Sequence, residues 1–443
     1  MPTDRIEMTA RQRHRIPPAV RQRDFALLWL ASLANGLSFQ MAAVAVGWQV
    51  YAIHRSALDL GLIGLAEFVP LPLLALPAGH LADRFPRRLV IACSLVVDIA
   101  VMALLLVVTM SGATRLWPFL SLAAATGVAS AIGSPAARAL PPTLVPPEML
   151  TSALALRSLA TQIATVSGPA LGGLLFAVRP ELPYSAGMGL ALLALVSVLG
   201  MRPAPARIQA EVGGSPDLRS LLAGIAFVRT TPVLLGAITL DLFAVLLGGQ
   251  IALAPLFARS ILHVGPAGLG LLRAAPAFGA IAAGAILTRR PAGRQAGRKL
   301  LVVVGVFGAS MIVFGLSRSF PLSLAALAVS GFVDMFSMNI RSTTAALATP
   351  DELRGRVNAI EVVFISASNQ LGAFESGAAA ALVGAVPAVV AGGALTVALA
   401  AVWPSLFPAL ARIDRLEELQ PGAYTPALTV ASAQTVESPA DTL

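Results

Sequence analysis

The chain has 443 residues, of which 57% are hydrophobic and 12% charged, with a mean hydropathy of +0.81. Soluble domains carry about 25% charged residues, so an apolar excess over this length excludes a soluble globular protein and leaves room for about twelve spanning helices. The net charge of +9 does not mark a nucleic-acid binder, because the arginines stand dispersed at the ends of apolar runs, and the lone Cys93 cannot build a disulfide framework or a cysteine metal cluster.

Residues 1–24 hold six arginines and read as a cytoplasmic arm, with no segment resembling a removable signal peptide. Apolar spans follow at about 25–52, 59–82, 89–110, 117–140, 150–177 and 184–201, a six-helix half over 25–201. A connector covers 202–231. Within it Leu218, Leu221, Leu222, Ile225 and Val228 recur at helical spacing, which predicts an amphipathic helix on the inner membrane face. Six more spans at about 232–257, 266–288, 300–317, 320–346, 357–383 and 386–408 make a second half over 232–411, and a polar tail, expected to be disordered, covers 412–443. The fold class is therefore all-α, a polytopic membrane protein of two six-helix halves.

Orientation follows from the positive charges of the loops. With the N-terminus inside, inner segments hold 22 Lys and Arg, among them Arg84, Arg87, Arg88, Arg289, Arg354 and Arg356, against 5 outside: Arg55, Arg115, Arg179, Arg259 and Arg318. That bias predicts cytoplasmic termini and an even number of spans in a plasma (inner) membrane. The halves also repeat. At an offset of 206, Gly64, Glu67, Pro70 and Arg84 meet Gly270, Arg273, Pro276 and Arg290, and at 203 Arg138 meets Arg341. Six helices duplicated around a connector is a transporter architecture.

Between spans two and three stands Gly79-His80-Leu81-Ala82-Asp83-Arg84-Phe85-Pro86-Arg87-Arg88. It resembles the signature loop of the major facilitator superfamily, with Pro86 in place of the usual glycine. Thr349-Pro350-Asp351-Glu352-Leu353-Arg354-Gly355-Arg356-Val357, Asp241 and the run Gln370 to Gly377 resemble the enterobactin-exporter (transmembrane secretion effector) branch, near the macrolide-efflux proteins. In span five, Gly168-Pro169-Ala170-Leu171-Gly172-Gly173 resembles the core of the motif of drug–proton antiporters, with Ala164 where a glycine is usual. The resemblance implies a secondary transporter that exports a small molecule and is coupled to protons.

Ionisable groups in hydrocarbon are costly and need a reason. Glu67, Asp98, Asp241, Arg273 and Asp334 fall near the membrane midplane. Asp241, Glu67 and Asp334 are candidates for proton coupling, since a desolvated carboxylate can bind and release a proton as water access alternates; a fixed ion pair with Arg273 is the competing reading. Asp98 is expected to pair structurally. Arg273, Phe243 and Phe336 are candidates for the substrate cavity, although lipid or core packing is the commoner fate of such phenylalanines. Gly79, Asp83, Arg84, Arg87 and Arg88 form a gating loop, with Asp83 expected to pair across the halves. Arg138, Arg157, Arg341 and Glu361 sit at inner helix ends, placed for gating ion pairs, and Glu375 lies nearer the outer side. Trp29, Trp48, Tyr51, Trp117, Tyr184 and Trp403 stand near helix ends as interfacial anchors do.

The scattered histidines point to no metal site, and no P-loop or nucleophile–His pattern appears, so neither an enzyme nor an ATP-driven pump is expected. The partners implied are a small-molecule substrate, protons and membrane lipid, with a monomer expected and no cofactor. Three functions stay open: proton-coupled efflux of a siderophore or amphipathic small molecule, with macrolide or multidrug efflux beside it; import by the same fold; and a non-transporting receptor or assembly factor.

Overall fold

The computed structural model describes residues 21–202, 218–289 and 293–419. Most of the expected arm and tail, and residues 203–217 of the connector, lie outside these residues. Each hydropathy span is a helix. In the first half these are α1 Arg23–His54, α2 Ala57–Phe68 leading through Val69 into α3 Pro70–Arg84, α4 Arg87–Met110, α5 Trp117–Ala139, α6 Leu150–Val178 and α7 Leu182–Leu199. The second half follows the amphipathic α8 Leu218–Thr230 and comprises α9 Pro232–Gly248, α10 Pro266–Leu287, α11 Ala296–Leu316, α12 Phe320–Ala348, α13 Asp351–Val383 and α14 Ala385–Leu406.

Two features depart from a uniform set of spans. The seventh span stops being α-helical at Gly248 and goes on as a 3-10 turn, Gln250–Leu253, and a π turn, Phe257–Ile261. Gly249 and Pro255 mark the break: a Cβ at Gly249 would press on the Val245 carbonyl oxygen, and Pro255 lacks an N–H. Among the described residues, eleven spans are long and apolar enough to cross a membrane. The twelfth, α13, is 33 residues long and carries Asn358, Glu361, Asn369, Gln370 and Glu375. A helix so polar must face protein and cavity rather than lipid.

Within each half, α1 packs on α6 and α7, α4 on α5 and α7, α10 on α12, and α11 on α12 and α14. The amphipathic α8 forms where the periodicity placed it. Its Val228 is buried with Ile225 against Ile238 of α9 and Val357 and Ile360 of α13, so it clamps the ends of two spans.

The end of the bundle carrying Arg84, Arg87, Arg88, Arg229 and Arg354 is the basic face, and the opposite end the far face. The halves meet mainly through α2 on α13 and α6 on α10, crossings that the internal repeat makes equivalent. Both are glycine on glycine. A Cβ on Gly377 would lie 2.8 Å from the Gly61 Cα and 2.8 Å from the Ala57 carbonyl oxygen, and one on Gly270 would lie 2.5 Å from the Pro169 carbonyl oxygen. Gly168 and Gly172 seat α6 against Gln40 and Met41 of α1 in the same way. The antiporter-like motif is thus the surface on which α1 and α10 close. Further bonds between the halves lie in the same region: Tyr51 Oη to Ser260 Oγ at 2.8 Å, and Arg259 over the Trp48 ring at 5.5 Å. By contrast α3, which carries span two to the basic face, makes no extensive packing with the second half among the described residues. The far face is closed and the halves part toward the basic face.

The crossing yields a test. In a Cys93→Ala background, Ala57→Cys is shielded between α2 and α13; adding Gly377→Val overpacks the crossing by about 1–3 kcal/mol. Maleimide labelling of that cysteine should rise sharply. Unchanged labelling would mean that the far face closes without the glycine contact.

Candidate functional site

The second half gathers its charges around one guanidinium. Asp241 of α9 and Arg341 of α12 are 8% and 6% exposed and form an ion pair. Asp334 precedes Arg341 by two helical turns on the same face, and it acts electrostatically on both Arg341 and Asp241. Glu361 of α13 does the same from the other side. Asp334 is exposed in the middle of α12. Asp241, Arg341, Glu361 and Phe364 line one narrow pocket. Three carboxylates against one guanidinium leave two uncompensated negative charges if all are ionised. Asp241, paired with Arg341, is the buried one of the three, whereas Glu361 is half-buried and Asp334 exposed. The carboxylates are not gathered closely enough to bind a metal ion.

A second constellation joins the halves. Glu67 of α2 is hydrogen-bonded by the Gln370 side chain of α13 and faces the Arg273 guanidinium of α10. Arg273 Nη1 donates to the Ala43 carbonyl of α1 at 3.0 Å. Glu67 and Arg273 are the duplicated pair at offset 206, so equivalent positions of the two halves carry opposite charges that act on one another electrostatically. Gln370 and the Ala43 carbonyl are members that sequence reasoning did not assign. A main-chain acceptor leaves no residue-type signal, whereas Gln370 is marked by its polarity in an apolar span.

The loop between α3 and α4 works within the first half. Arg87, 4% exposed, donates from Nη1 to the Ala139 carbonyl at the end of α5 at 3.0 Å, and Arg88 donates to the Met201 carbonyl just past α7. Each arginine satisfies carbonyls at a negative helix terminus. Pro86, at φ −54°, fits the proline ring and starts α4. Arg84 is exposed, Gly79 has open space around it, and the Asp83 side chain lies outside the described residues.

Arg138 of α5 and Arg157 of α6 lie near the basic face and repel one another. Neither forms an ion pair with an acid among the described residues. The proposed inner-gate groups therefore stand apart in this conformation, two arginines in one half and Arg341 with Glu361 in the other. Asp98 is hydrogen-bonded by Asn35 of α1, a structural pairing. Asn35 is the duplicate of Asp241 at offset 206, a signal the sequence offered. Phe243 stands two residues, about 200°, round the helix from Asp241 and packs edge-on against Trp403 of α14 at 6.4 Å, away from the other site residues. Phe336 packs at a tilt against Phe332 of its own helix, ring centroids 5.2 Å apart. Glu375 is half-buried, and its Oε2 has no hydrogen-bond partner among the described residues.

A family model described as transmembrane secretion effector matches residues 17–434. Enterobactin exporter EntS of Citrobacter koseri is 29% identical over 347 residues, covering 76% of this chain and 80% of that protein; EntS of Shigella dysenteriae serotype 1 is 28% identical with the same coverage. A bacterial homolog of the human lysosomal transporter Spinster, in an inward-facing and occupied conformation, superposes with a TM-score of 0.69 at 15% identity over 90% of this chain and 98% of that one. The nucleoside transporter NupG superposes at 0.64 with 13% identity over 87% and 99%. These structures share the fold. Because the family model spans both halves, the connector and the buried charges alike, the chain belongs to the transmembrane secretion effector family, and so to the membrane transporters of the major facilitator superfamily.

Proposed function

We propose that this transporter is an exporter driven by the proton gradient, moving a siderophore or another amphipathic small molecule out of the cell by alternating access. The observation that carries the reading is the set of Asp241, Asp334 and Glu361 around the single Arg341. The positive-charge bias supports a cytoplasmic basic face. The described conformation then opens to the cytoplasm, where cargo enters and protons leave. Once the basic face closes and the far face opens, the same carboxylates take protons from outside, and their neutralisation lowers the cost of returning. Glu67 is the second proton site: protonation removes its attraction for Arg273 and loosens α10 from α1 and α2. The names of the relatives, enterobactin exporters, support the direction and the cargo class.

Two experiments test this. In proteoliposomes with an imposed pH gradient, the wild type should accumulate cargo against its gradient, and Asp241→Asn or Glu67→Gln should each lower that flux by about tenfold. Full proton-driven flux in both variants would end the coupling assignment, flux in the opposite sense would make the protein an importer, and no flux at all a receptor.

The ion pair itself is tested by a thermal double-mutant cycle. Arg341→Gln alone leaves buried carboxylates unpaired, which costs about 3–5 kcal/mol for a buried pair. The double variant Asp241→Asn/Arg341→Gln should recover part of that loss. Simple additivity of the two single losses would show that the groups are not coupled.

A further inference from the structure

At the basic end of the second half, the start of α11 and the end of α14 enclose an open groove of about 550 Å3. Its walls include Arg298, Leu301, Pro404, Pro408, Arg412 and Asp414. It shares no lining residue with the pocket of Asp241 and Arg341. The floor is fixed by backbone bonds. Ala296 and Gly297, which open α11, donate their N–H groups to the carbonyls of Asp414 and Ile413, both at 3.1 Å. A Cβ on Gly297 would collide with the Leu410 carbonyl oxygen, so the glycine lets these segments touch. Leu410 and Ile413 are themselves buried in the core of this half. Arg298 and Arg412 flank the bonded pair of Gly297 and Ile413, which sets both on the same groove.

The charges there do not cancel. Asp414, the acid of the groove, is already occupied: Arg294 Nε donates to its Oδ2 at 3.2 Å and the Gln295 N–H to its Oδ1 at 3.0 Å. Among the described residues, neither the Arg298 nor the Arg412 side chain has an ion pair or a hydrogen bond, and both are exposed. The first N–H groups of α11 are spent on Ile413 and Asp414, so an anion in the groove meets the two guanidiniums. Deeper along the same seam the surface is apolar and bare. Val302, one turn on from Arg298, is 63% exposed, and Val397 and Ala401, on the Pro404 side of α14, are exposed as well. Val397 stands on the seam itself, since a Cβ on Gly308 of α11 would lie 3.0 Å from its Cγ2.

Two unpaired cations at the end of a spanning bundle, with bare apolar surface leading away from them, fit a ligand with an anionic head and a hydrocarbon tail. Guanidinium groups suit phosphate oxygens, and basic pockets between spanning helices take anionic headgroups. A free phosphate would leave Val302, Val397 and Ala401 uncovered. We propose that this groove binds an anionic phospholipid, its phosphodiester on Arg298 and Arg412 and an acyl chain along the seam of α11 and α14. The site stakes the second half to one leaflet.

Native mass spectrometry of the purified full-length protein tests the site, with release from detergent micelles that hold equal amounts of phosphatidylglycerol and phosphatidylcholine. The wild type should retain phosphatidylglycerol with a preference of about thirtyfold, the worth of two basic residues at a membrane surface. Arg298→Gln/Arg412→Gln should lose that preference. Arg202→Gln/Arg229→Gln removes the same charge from exposed positions of the same face outside the groove, and should keep it. Equal retention of the two lipids by the wild type would overturn the site, as would an unchanged preference in the groove variant or an equal loss in the control variant. Millimolar glycerol 3-phosphate should leave the bound lipid in place. Its displacement would show that the headgroup alone is recognised and would overturn the lipid assignment, and this arm needs only the wild type.

Discussion

A charge surrounded by hydrocarbon has to be paired or neutralised, and that constraint organises this molecule. Arg341 has Asp241, Glu67 faces Arg273 and Gln370, and Asp98 has Asn35. All three groupings link different helices, and the second links different halves. Electrostatic pairing therefore fixes which helices must stay together in a given conformation, while the glycine crossings let their backbones approach. Apolar packing gives each half its rigidity and is indifferent to which end of the bundle is open.

The duplication turns this constraint into a mechanism. A pseudo-two-fold axis brings a residue close to the axis near its own duplicate, and Glu67 with Arg273 is such a pair. Had both positions kept the same charge, they would repel and the far face would not close. One acid and one base at equivalent positions make closure attractive while keeping the two halves the same shape. The loop arginines Arg87 and Arg88 belong to a different task. By binding the ends of α5 and α7 they keep the first half a unit, so that it moves as one body when the basic face closes.

Much of this was legible in the sequence. Span number, the amphipathic helix before span seven and the two halves follow from hydropathy and from the offsets of 203 and 206, because lipid imposes long apolar runs and duplication leaves its register behind. Asp241, Glu67, Arg273 and Asp334 stood out as charges too deep to be accidental. Their pairing did not follow from the sequence: neighbours such as the Ala43 carbonyl, or Arg341 across from Asp241, depend on helix rotation, and a few tens of degrees reassign every partner. Phe243 illustrates the point, since two residues beyond Asp241 carry it to the opposite side of α9. The break after Gly248 was equally hidden in a run that hydropathy reads as continuous.

The divergence of the halves near the basic face has an energetic reading. Near that face Arg341 of the second half stands among Asp241, Asp334 and Glu361, whereas the equivalent first-half positions are Asn35, Ala131 and Arg157. An acidic cargo draws on the membrane potential. Moving one elementary charge across 100 mV is worth about 2.3 kcal/mol, and in a cell negative inside, an anion leaving and a proton entering both run with that field. Exchange of one proton for one monoanion thus gains roughly twice that amount per 100 mV, whereas exchange for a monocation would gain nothing from the potential.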